Sequence, residues 1–162
     1  MTRPKAVLHP VPLQASKDAT GRYHFQPHSD LWNDGEEEFV FHKGKHDMRA
    51  HDYHLIEFVL DDQTGDALKF PATPHDAMWI TDGAERAKRK CPDMHTVSNY
   101  EVMEPICVCD DGNRLIVRND NPRVEHWSFT LNFVKQGQNA SDPSQFISWD
   151  PGGNNQDSSS RQ

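Results

Sequence analysis

A chain of 162 residues with 25 acidic and 17 basic side chains, net charge −8, is one domain's worth of sequence, and its sign opposes nucleic-acid binding, which needs a clustered positive face to displace counterions. Hydrophobic residues make up 35% of it. They gather in strand-like segments between polar ends, and no run approaches the roughly 20 apolar residues of a spanning helix, so no membrane partner is expected.

The first 35 or so residues are rich in Pro, His and small polar residues. They read as an extended arm carrying two edge strands, Ala6-Val7-Leu8 and Arg22-Tyr23-His24-Phe25, because proline is tolerated at a sheet edge and not at its centre. Pro4, His9, Pro10 and Pro12 break any apolar run there, so the arm is not a secretory signal. Three cysteines, an odd number, suit a reducing compartment better than a disulfide framework, and the expectation is a soluble cytoplasmic protein.

Asp34-Gly35 turns into Phe39-Val40-Phe41, and 43–52 is a charged loop containing histidines. The run from His54 to Leu60 enters the acidic turn Asp61 to Asp66 and leaves through Ala67 to Phe70, which predicts a β-hairpin. Ala77 to Ile80 is a short apolar run. Ala84 to Lys90 suits two helical turns ended by Cys91-Pro92. The basic cluster there, Arg86, Lys88, Arg89 and Lys90, has no interleaved aromatic residues and reads as a solvated face.

Ile106 to Cys109, the turn Asp110-Asp111-Gly112-Asn113, and Leu115 to Val117 make a second predicted hairpin. Trp127, Phe129, Leu131 and Phe133 alternate with polar residues, the period of a strand with one packed face. Phe146 to Trp149 is a closing strand stopped by Asp150-Pro151-Gly152-Gly153, after which the polar composition predicts a disordered tail. The expected organisation is an arm over 1–35, a β-sandwich domain over 36–150 and a tail over 151–162. With seven to nine short strands the fold class is all-β, a β-sandwich of immunoglobulin-like or cupredoxin-like Greek-key type with at most one short helix.

The order of the Asp61-Asp62-Gln63-Thr64-Gly65 turn, the later Asp111-Gly112 hairpin, the strand from Trp127 to Phe133 and the closing Ser148-Trp149-Asp150-Pro151 resembles small uncharacterised bacterial β-sandwich proteins of the DP-EP family. The resemblance spans residues 39 to 155 and implies a fold without an activity. The His-rich N-terminal third has no counterpart in it.

Ten histidines are present. His42, His46, His51 and His54 lie within thirteen positions alongside Asp47 and Asp52, in and beside a loop flanked by two strands, donor types that suit Zn²⁺, Cu²⁺ or Ni²⁺. Cys91, Met94 and His95 add the ligand types of a copper site, although in cupredoxins the order is Cys, His, Met. The candidate metal ligands are therefore His42, His46, His51, His54, Cys91 and His95, with Cu or Zn as the candidate cofactor. Cys107 and Cys109 share one face of a strand and read as buried small hydrophobes. The acidic pairs Asp61-Asp62 and Asp110-Asp111 lack the spacing of an EF-hand and read as turn formers.

No phosphate loop, nucleophile elbow or His-Glu-x-x-His helix is present, so no catalytic residue can be nominated. Two readings remain. The first is a non-enzymatic binding or self-association module, a homo-oligomer exchanging its terminal arms, with Trp32, Trp79 and Trp149 as contact anchors. The second is a metal-binding or metal-dependent redox protein built on the histidines. A hydrolase or isomerase with a cleft between the sheets ranks behind both.

Overall fold

The computed structural model describes residues 3–42, 46–49, 51–81, 103–120, 125–139 and 142–156. Eleven strands, one four-residue helical turn (Pro74–Ala77) and one 3-10 turn (Pro143–Gln145) occur among them. The first sheet holds β1 (Ala6–Lys17), β2 (Tyr23–Pro27), β5 (Tyr53–Asp62), β7 (Met103–Cys109) and β8 (Arg114–Asn119), in the order β2-β1-β5-β8-β7. The second holds β3 (Trp32–Asn33), β4 (Glu38–His42), β6 (Met78–Thr81), β9 (Glu125–Phe133), β10 (Ile147–Trp149) and β11 (Gly152–Gln156). The all-β, two-sheet architecture is as the sequence predicts.

The core lies between the sheets. Alternation along β1 sends Val11, Leu13 and Ala15 inward, and along β5 it sends Ile56, Phe58 and Leu60 inward. These meet Phe39, Phe41, Trp127, Phe129 and Phe133 of the second sheet. Phe39 and Phe58 touch edge-to-face with ring centroids 5.6 Å apart, one of the favoured aromatic geometries. Trp79 is buried, and Trp32 and Trp149 pack half-buried against the core and each other.

Three expectations differ from what forms. β1 is an edge strand only in part: it is 12 residues long, pairs in parallel with β5 from Ala6 opposite Tyr53 to Ala15 opposite Asp62, and is covered by β2 over Leu13 to Lys17, which leaves the predicted Ala6-Val7-Leu8 stretch paired on the β5 side alone. Its prolines fit because the carbonyl of Pro12 accepts from the His28 N–H of the β2 side. The backbone groups of Pro12, and of Pro10 two residues before it, therefore point away from β5, where no ladder donor is needed.

The first predicted hairpin does not close. β5 is flanked by β1 and β8, and the chain crosses after Asp62 to the other sheet, where Lys69 bridges to Val134. The Asp62 carboxylate makes that crossing by accepting from the N–H groups of Thr64 and Leu68 and from the Thr64 hydroxyl. The second hairpin forms between β7 and β8, with Asp110, Asp111 and Gly112 all at positive φ.

The polar tail is, through Gln156, a strand in the middle of the second sheet. β10 and β11 follow one register along β9, Ile147 opposite Phe133 and Gly152 opposite Ser128, so Asp150-Pro151 interrupts a single ribbon rather than ending it. β11 also pairs in parallel with β4. Gly153 sits under the indole of Trp127, where an added Cβ would lie 2.2 Å from the ring. Asn155 exchanges two side-chain hydrogen bonds with Asn119 of the opposite sheet, at 2.8 and 3.2 Å.

Candidate metal centre

The parallel pairing of β1 and β5 builds the site. Val7 lies opposite His54 and His9 opposite Ile56, so His9 and His54 occupy the same face on adjacent strands, one diagonal step apart. That face is the core face, and both histidines stand where its apolar stripe ends. The chain between β4 and β5 then brings His46 across this end. One ring nitrogen from each of His9, His46 and His54 lies within 4.8 Å of the others.

The rings are in mutual contact, with centroids 4.8 Å apart for His9 and His46, 5.0 Å for His9 and His54, and 5.4 Å for His46 and His54. His54 is completely buried and also meets Phe41 at 5.2 Å. His9 Nε2 and His54 Nδ1 are hydrogen-bonded at 2.9 Å. Burial, and behind it the neighbouring His46, lowers the pKa of His9 from 6.5 to about 4, so its imidazole is neutral, as a metal ligand must be.

A tetrahedral Zn²⁺ with Zn–N bonds of 2.0–2.1 Å sets its imidazole nitrogens about 3.3 Å apart. The His9–His54 spacing of 2.9 Å is already close to that, and the whole set lies within 4.8 Å, about 1.5 Å beyond the spacing around a bound ion. Three imidazoles leave a fourth coordination position open.

The structure separates the sequence-predicted ligands. His46 and His54 enter the cluster. His42 ends β4 half-buried opposite Gln156, and His51 is exposed in the turn before β5; neither belongs to the grouped set. Cys91, Met94 and His95, with the basic cluster and the predicted helix before them, lie outside the described residues.

Of the two nearby carboxylates, Asp52 is 2% exposed and both its oxygens are engaged by backbone donors. Those bonds, from Arg49 and Lys5, hold its pKa below the usual carboxylate value. Asp47 is exposed. Cys107 and Cys109 do share a face, but the outer one, half-buried and unbridged. Burial and the adjoining Cys107 push the Cys109 thiol up, away from the thiolate that ligation needs.

Sequence reasoning missed His9, reading it only as a breaker beside two prolines. The available signal was Val7, His9, Val11, Leu13 and Ala15 in strict alternation, which places His9 in the apolar phase of a strand. No protein-family model matches the chain, and no curated protein matches it in sequence. Among the described residues no helix is long and apolar enough to cross a membrane.

Proposed function

We propose that this protein binds a divalent transition-metal ion, Zn²⁺ or Cu²⁺, through His9, His46 and His54. The observation that carries the reading is the convergence of three imidazoles from three separate segments at one end of the sandwich. An all-imidazole donor set suits borderline ions such as Zn²⁺ and Cu²⁺ and disfavours Mg²⁺ and Ca²⁺, which take oxygen ligands. The competing reading is a structural histidine pair sealed by its own hydrogen bond. The third ring favours the metal, because the hydrogen bond between His9 and His54 does not of itself call for a third imidazole whose nitrogen lies within 4.8 Å of theirs.

The test is a calorimetric titration of untagged, chelator-stripped protein with Zn²⁺ and with Cu²⁺. One equivalent is expected to bind, and His46→Ala is expected to weaken binding at least ten-fold while the protein stays folded. Absence of a stoichiometric site, or affinity unchanged by alanine at all three positions, would leave the histidines as packing residues.

A further inference from the structure

We infer that Asp52 is the positioning residue of the three-histidine centre, its carboxylate joining the three segments that carry the ligands. One oxygen accepts from the Lys5 N–H at 2.8 Å, four residues before His9 on the approach to β1. The other accepts from the Arg49 N–H at 2.8 Å, three residues after His46. Asp52 itself stands two residues before His54.

Two backbone bonds double the tie. The Asp52 N–H donates to the Arg49 carbonyl at 3.0 Å, closing a reciprocal ring with the side-chain bond, and the Tyr53 N–H donates to the Lys5 carbonyl at 3.1 Å. His9 and His54 need no further alignment, since the ladder between β1 and β5 fixes them. His46 has no strand to hold it; the ring closed on Asp52 ties its segment to both of the others, beside an exposed bond at 3.4 Å from the Lys5 ammonium to the Asp47 carbonyl that reaches the β1 side alone.

A carboxylate suits this work because it accepts at both oxygens, whereas an amide in its place offers one acceptor and turns an N–H₂ group toward a backbone donor. Ligand-orienting partners of this kind typically change metal affinity ten- to hundred-fold when lost.

The inference rests on the metal reading for its consequence, but its geometry can be read without metal. The experiment compares wild type, Asp52→Asn and Asp47→Asn by NMR in the metal-free state and by Co²⁺ titration followed in the visible spectrum. Asp52→Asn is expected to lose the proton contacts of the His46 ring with the His9 and His54 rings while those between His9 and His54 persist. It is also expected to bind Co²⁺ at least ten-fold more weakly, with the intense tetrahedral absorption replaced by a weak one. Asp47→Asn, on an exposed side chain of the same loop, is expected to match wild type in both.

Should Asp52→Asn not fold, Lys5→Pro deletes one of the two donors and leaves the carboxylate in place, and the same partial release of His46 is expected, whereas Lys5→Ala, which loses only the ammonium bond to the Asp47 carbonyl, is expected to match wild type. Retained His46 contacts together with an unchanged spectrum would overturn the inference. Wild type that takes up no Co²⁺ while Asp52→Asn still loses the His46 contacts would uphold the positioning role and defeat the metal reading.

Discussion

At the scale of single residues, His9 and Gly153 carry the sharpest consequences. His9 has a folded-state pKa of about 4 against an ordinary 6.5, so the unfolded chain binds more protons between those values. The contribution of His9 to the stability of the metal-free protein is therefore full above pH 6.5 and is lost as the pH drops toward 4. Urea unfolding across that window is expected to show the slope, and His9→Gln is expected to reduce it; an equal slope in both proteins would contradict the burial of His9. Gly153 has no room for a methyl group beneath Trp127. Gly153→Ala is expected to cost on the order of 1–3 kcal/mol by the same urea measurement, the usual range for overpacking a filled core, and an unchanged midpoint would mean that the indole does not lie there.

At the scale of elements, what could be read in the sequence was whatever a side-chain pattern announces. The β7–β8 hairpin is marked by Asp110-Asp111-Gly112 and the packed face of β9 by Trp127, Phe129, Leu131 and Phe133. Both form as predicted. β11 was illegible because Gly152, Gly153, Asn154, Asn155 and Gln156 have no apolar phase; the strand is held by pairing on both sides and by the Asn119–Asn155 contact across the sandwich. The crossing after β5 was misread because Leu68 and Phe70 alternate like a strand while Asp62 bends the chain. The cluster was half legible: its loop histidines stand out by density, but the partner of His54 comes from 45 residues away through parallel pairing, which leaves no local trace.

The edges of the first sheet are guarded in ways that oppose strand addition. Pro10 and Pro12 present no N–H on the open side of β1, and edge strand β7 carries Pro105 and a register shift between Pro105 and Cys107. Replacing Pro10 and Pro12 together with valine is expected to raise the tendency to self-associate, read as a concentration-dependent mass in light scattering. A mass equal to that of the parent at every concentration would show that the prolines do not protect this edge.

At the scale of the whole molecule, the fold is closed by its last described strand, and the site is assembled by segments far apart in sequence. β11 separates β4 from β9 in the second sheet, so ending the chain at Asp150 removes a central ribbon rather than a tail. That truncation is expected to abolish cooperative unfolding, and a sharp transition in the shortened chain would contradict the topology. The same closure sets His9 and His54 on the core face with Phe41 of the opposite sheet beside them. The central claim is that this end of the sandwich holds a metal ion, and an anomalous difference map from crystals grown with one equivalent of Zn²⁺ tests it most directly. A single peak about 2.0–2.1 Å from one ring nitrogen each of His9, His46 and His54 is the expected result. A peak on surface histidines alone, or a map with no peak at the cluster, would contradict it.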